Sequence, residues 1–183
     1  MPNRPYASEE NIQAHDEWII NLWQTTVGKH DQIYIAVDLT FRKSEDARRL
    51  LEQLPGEKYL AVDNHDGAIK AHSNYFRKIA QVMEITIKPS MYEVLSEELQ
   101  IVLCHYSLLD WPDKQQGSVM LHGHCRGTMD DFNASSADLR FDIGIDGILA
   151  KQAGGFIDIK TLYEAILKKT GGLTPQQYAN EKY

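Results

Sequence analysis

The stretch VMLHGHCRG, residues 119–127, places His122, His124 and Arg126 at alternate positions after an apolar run. In an extended chain alternate side chains point the same way, so these three are expected to share one face. His-x-His at a strand end is a pattern for a metal-ligand pair. Arg126 cannot ligate, because a guanidinium stays protonated and offers only donors. Three other strand-like runs end in ligand types: IYIAVD at Asp38, YLAVDNHD at Asp63, Asn64, His65 and Asp66, and QIVLCH at His105. Ligand sites in α/β sheets gather beyond the carboxyl ends of strands. Carboxylate oxygen, amide oxygen and imidazole nitrogen together suit Mn, Fe or Zn better than Ca or Mg. Each piece alone has a plainer reading. A strand-end Asp serves turns, His105 fits a satisfied core histidine, and DNHD fits a polar turn. The metal reading rests on all of them occurring at one type of position.

The elements that must position these residues follow from periodicity and punctuation. Residues 8–27 carry Ile12, Ile19, Ile20, Trp23 and Val27 at helical spacing, with Ser8 as the cap. Residues 32–39 and 58–62 read as buried strands. Between them, Ser44 caps a helix with Leu50, Leu51 and Leu54 inward, stopped by Pro55-Gly56. Residues 68–80 read as helical. QVMEITI and MYEVL read as a hairpin around Pro89-Ser90. LQIVLC, SVML and DIGI read as further strands. Residues 159–169 form a helix, and Thr174-Pro175 opens a final short one. HYSLLDW, residues 105–111, is expected to pack beside the site through Leu109 and Trp111. Helices alternate with strands early and strands cluster later, which fits an α/β fold with a mixed sheet or two packed sheets.

Composition bounds the function classes. The chain has 183 residues, a formal net charge of −7 and 43% apolar residues, which fits one domain spanning 1–183 with a sizeable core. The acidic balance without a basic run argues against general nucleic-acid or membrane-surface binding. It leaves room for a small phosphorylated substrate held by a metal. The two cysteines, Cys104 and Cys125, lie inside apolar or His-rich runs and point to a reducing, cytoplasmic setting. Cys125 is read as a buried, unreactive thiol. The opening residues lack a signal-peptide apolar region, and no run approaches the length of a membrane span.

The ordered set AVD, VDNHD, LCHYSLLDW, GSVMLHGHCRG and DIGIDG resembles the successive motifs of the calcineurin-like metallophosphoesterases, nearest to their short bacterial and phage members. The resemblance runs from about Asn3 to the helix near Lys168. It implies an α/β/β/α sandwich of two mixed sheets with a two-metal site at strand ends. It assigns Asp38, Asn64, His105 and His124 to one metal. It makes His65 the general acid or phosphate contact, oriented by Asp66. The departures are specific. The family opens with a strand ending in Asp-x-His, and NRPYAS resembles the segment after it, so the first strand is expected to be missing. His15-Asp16 lies in the wrong context to replace it. Arg126 stands where the family has the second His of Gly-His-x-His. Both departures fall on the same metal, so one ion is expected rather than two. Arg126 would then hold a phosphate oxygen, or point to solvent. The expected activity is a phosphoesterase of low turnover acting on a small phosphorylated substrate or phosphodiester. The alternative is an impaired or inactive member that binds a metal, a phosphorylated ligand or a protein. A missing strand would also expose a sheet edge suited to homo-oligomer pairing.

Overall fold

The structure, a computed structural model, describes residues 9–36, 44–62, 69 and 71–183. The chain is mixed α/β with two sheets. Helix α1 (Glu9–Thr26) leads into strand β1 (Gln32–Ile35), helix α2 (Ser44–Gln53) and strand β2 (Glu57–Ala61). Strand β3 (Phe76–Ala80) completes a sheet of order β1-β2-β3 that is parallel throughout. Ala47 and Leu51 of α2 and Trp23 of α1 are buried with Ile35, Leu54, Leu60 and Ile69, which is why these helices lie on this sheet. The Trp23 indole donates to the Pro55 carbonyl at 2.9 Å, so the end of α2 is tied to α1. Gly56 turns the chain at φ +89°, and a Cβ there would meet Val27 at 2.7 Å.

The second sheet has order β4-β5-β6-β7, from β4 (Val82–Ile87), β5 (Leu99–Cys104), β6 (Val119–His122) and β7 (Arg140–Asp142). β4 and β5 are antiparallel, and β5, β6 and β7 run parallel. One apolar cluster draws Ala36 and Ala61 from the first sheet and Met83, Leu103 and Leu121 from the second. Leu162, Tyr163 and Ile166 of helix α5 (Ile159–Thr170) join it. Between β6 and α5 lie two short helices, α3 (Asp130–Ser135) and α4 (Ile148–Ala153). The last helix, α6 (Pro175–Lys182), starts with a full capping box between Thr174 and Gln177. Among the described residues no helix is long and apolar enough to cross a membrane.

Several expectations are corrected. Residues 68–80 are not a helix. They give a 3-10 turn at Ser73–Tyr75 and then β3, whose consecutive exposed Arg77 and Lys78 break strand alternation, on a strand at the edge of its sheet among the described strands. MYEVL is not a strand. Met91, Tyr92 and Leu95 donate to carbonyls three residues back, so the segment is spent on turns and β5 becomes the partner of β4. DIGI contributes only Asp142 to β7, because the chain then bends toward Gly144 and Gly147. The two sheets are not both mixed, since the first is parallel among its described strands.

Candidate functional site

β5 and β6 are parallel neighbours, so their carboxyl ends lie side by side. The residue after β5 is His105, and its carbonyl accepts from Gly123 N at 3.2 Å and His124 N at 2.9 Å. The backbone thereby fixes His124 beside His105. The His105 ring is 1% exposed. Its Nδ1 lies 3.0 Å from the Ala36 carbonyl, directly after β1, so the ring joins the ends of strands from both sheets. A carbonyl only accepts, so Nδ1 carries a proton and donates it to Ala36. Nε2 of the same ring faces Nδ1 of His124 at 2.9 Å, with a hydrogen bond between the two nitrogens.

The 2.9 Å separation is a hydrogen-bond distance. Two imidazole nitrogens each about 2.1 Å from one ion would lie about 3.0 Å apart at an angle of about 90° and about 3.4 Å apart at the tetrahedral angle. A ligating histidine also characteristically donates its other ring N–H to a carbonyl or carboxylate, as His105 does to Ala36. Tyr106 packs against both rings, with centroids 4.8 Å from each.

His122 does not share a face with His124 and Arg126, which corrects the alternation expected from the sequence. β6 stops at His122 and the chain turns through residues 124–129, so the extended-chain rule no longer applies past Gly123. His122 is fully buried on the other side of β6, where the Asn133 amide lies 3.2 Å from its Nε2. Its Nδ1 has no hydrogen-bond partner among the described residues. Burial lowers its pKa and outweighs the opposing pull of Asp142, so the ring is held neutral.

Arg126 is half-buried at φ +50°, and Gly127 follows at +80°. A left-handed arginine costs about 1 kcal/mol and persists only when its surroundings impose it. Here the imposing group is Asp142, a 3% exposed carboxylate that accepts from Gly127 N and Gly144 N, both at 2.8 Å. A Cβ on Gly144 would lie 2.9 Å from the Asp142 carboxylate and 3.1 Å from the Gly123 carbonyl. Asp142 therefore shapes the turn that carries His124 and Arg126. It stood in the sequence as part of DIGIDG without a role of its own. Its signal was an acidic residue followed two positions later by glycine, which suits a carboxylate bonding its own downstream N–H. Cys125 lies 3.1 Å from the Met129 sulfur, and burial, then Asp142, raise its thiol pKa, consistent with an unreactive side chain. Trp111 anchors the 105–111 loop through Ser118 O, but Leu109 does not, being 79% exposed while Leu108 packs inward.

Of the seven site residues expected from the sequence, His105 and His124 are brought into contact, and Arg126 lies in the same turn as His124. Asp38, Asn64, His65 and Asp66 lie outside the described residues. Among the described residues no group of three or more His, Cys, Asp or Glu side chains is assembled around one point.

No protein-family model matches the chain. Gene 66 protein of Mycobacterium phage L5 is 21% identical over 143 residues, covering 66% of this chain and 68% of that protein. Among solved structures, the crystal structure of a protein of unknown function from Aquifex aeolicus aligns with a TM-score of 0.49 at 20% identity. That alignment covers 75% of this chain and 84% of the Aquifex chain.

Proposed function

We propose that the chain is a metal-dependent phosphoesterase of the calcineurin-like type, built as an α/β/β/α sandwich, with a site reduced to one metal ion. The observation that carries this reading is the His105–His124 nitrogen pair at 2.9 Å, with His105 oriented by the Ala36 carbonyl. In sequence Asp38 follows Ala36 by two residues, and Asn64 follows Val62, the residue after the adjacent parallel strand β2, by two. An Mn, Fe or Zn ion held by Asp38, Asn64, His105 and His124 would polarise a phosphoryl oxygen or activate water.

The remaining roles belong to the protein's own groups. His65, oriented by Asp66, donates a proton to the leaving oxygen. Arg126 presents a fixed cation to a phosphoryl oxygen and stabilises the charge that develops there. That cation also disfavours a second metal ion in the same place. The substrate is a small phosphomonoester or phosphodiester. A second reading, a family member that binds ligand without turnover, is favoured by one observation: the position of a family histidine is an arginine held at φ +50°.

The test is to strip the protein, load it with Mn, and measure metal content and hydrolysis of p-nitrophenyl phosphate and its bis ester. One ion per chain, lost in His124→Ala, is expected. Slow hydrolysis should fall at least about 100-fold in His65→Ala. Turnover no greater than that of His65→Ala sinks the enzyme reading, and two ions per chain contradict the one-metal site.

A further inference from the structure

β4 lies at one edge of the second sheet, with β5 as its one partner among the described strands. An edge strand presents a row of backbone N–H and C=O groups that another chain can pair with, and proteins blunt such edges with brevity, charge or proline. β7 is three residues long, β1 is four, and β3 carries exposed Arg77 and Lys78. β4 has none of these guards. It has six residues, VMEITI, rich in β-branched types, with one charge and no Lys, Arg or Pro. Met83 and Ile87 are buried, whereas Val82, Glu84 and Thr86 are exposed, and exposed Lys88 extends that outer face by one step. The outer face therefore carries an acid and a base four residues apart, with Thr86 midway between them.

We propose that β4 pairs antiparallel with β4 of a second copy of this chain, about a twofold axis at Thr86. This edge is not the one that a missing first strand would leave, and the inference does not rest on the phosphoester reading. A twofold axis perpendicular to the sheet sets residues of the same face opposite each other. An axis at Glu84 would place two carboxylates face to face, which is destabilising. An axis at Thr86 places Glu84 opposite Lys88 of the partner subunit, and the symmetry makes that contact twice. On the inner face it places Ile85, half-buried against the core, opposite the partner subunit's Ile87. The edge is thus complementary to itself in charge and in apolar surface, which selects a second copy over an unrelated strand. The two four-stranded sheets join into one sheet of eight strands. Pairing over residues 84–88 makes a small interface, so the dimer belongs in the weak, micromolar class.

The experiment is sedimentation velocity of the full chain at physiological salt, from low micromolar to near-millimolar concentration. The net charge of −7 repels two copies at long range, and salt at that strength screens the repulsion. The wild type should dimerise across this range. Glu84→Lys and Lys88→Glu each set like charges opposite one another, and each should weaken the dimer about tenfold. Both side chains are exposed, so neither reversal disturbs the core. Mixing the two variants in equal amounts should restore association to the wild-type level. A Glu84→Lys chain facing a Lys88→Glu chain has opposite charges at both contacts. A wild type that stays monomeric throughout the range overturns the inference. A dimer that either reversal leaves unchanged also overturns it, because the copies then meet through another surface or register. So does a mixture no more associated than the variants alone, because the reversals would then act through something other than the Glu84–Lys88 contact.

Discussion

His105 and His122 end neighbouring parallel strands, and their surroundings send them to different tasks. His105 faces the first sheet and meets a carbonyl on one nitrogen and an imidazole on the other. His122 faces away into a buried layer and meets one amide. Burial holds His122 below its ordinary pKa of 6.5. The native state therefore takes up a proton at lower pH than the unfolded chain. As pH falls from about 6.5 toward the folded pKa, the unfolded state binds more protons, so this residue's share of stability is lost on acidification. The urea midpoint of the wild type should drop between about pH 7 and pH 5, and that drop should be smaller in His122→Gln. Parallel slopes in the two proteins would contradict this account. The slope is the readout because the substitution changes absolute stability as well. At this scale the sequence showed that His105 and His124 stand at the ends of neighbouring strands, where the structure brings them into contact. It did not show that His122 turns away, because a period-2 argument holds only while the strand continues, and the strand stops there.

Asp138 holds three elements together. Its carboxylate takes Lys114 from the turn before β6 at 3.1 Å, Lys182 of α6 at 3.1 Å and Arg140 of β7 at 3.4 Å. Burial alone would raise its pKa, but the hydrogen bonds from Lys114 and Lys182 outweigh that and lower it. Arg140 is 2% exposed, so removing its carboxylate leaves a buried cation short of a partner. Asp138→Ala should cost about 2–4 kcal/mol, read as a lower urea midpoint at unchanged slope. A loss within about 0.5 kcal/mol would place the network on the solvated surface, where ion pairs contribute little. The long amphipathic elements were legible. Leu50, Leu51 and Leu54 mark α2, Thr174-Pro175 marks α6, and LQIVLC is β5 to the residue. The short ones were not. α3 and α4 have six residues each, too few to show a period, and β3 has exposed charges that break strand alternation. The buried Arg140, Asp142 and Asn133 were equally hidden, because polar residues under a sheet carry no apolar signature.

For the molecule as a whole, the decisive feature is that the site joins two sheets. His105 and His124 follow strands of the second sheet, while the Ala36 carbonyl that His105 meets follows β1 of the first; in sequence Asp38 comes two residues after Ala36. An ion held by ligands from both would bind the folded state and not the unfolded chain, whose ligands are scattered over nearly ninety residues of sequence from Asp38 to His124. Binding energy would then appear as global stability, amounting to about 2.7 kcal/mol at a free-ion concentration 100 times the dissociation constant. The stripped protein should therefore gain thermal and urea stability as Mn is added, and the gain should rise with the logarithm of Mn concentration above that constant. His105→Ala should remove the gain. The variant also loses the buried ring that links Ala36 to His124, so it starts less stable, and the informative quantity is the Mn-dependent increment within each protein. An equal increment in His105→Ala would mean that Mn binds elsewhere. No increment in either would mean that the two histidines hold each other through a hydrogen bond and form no metal site.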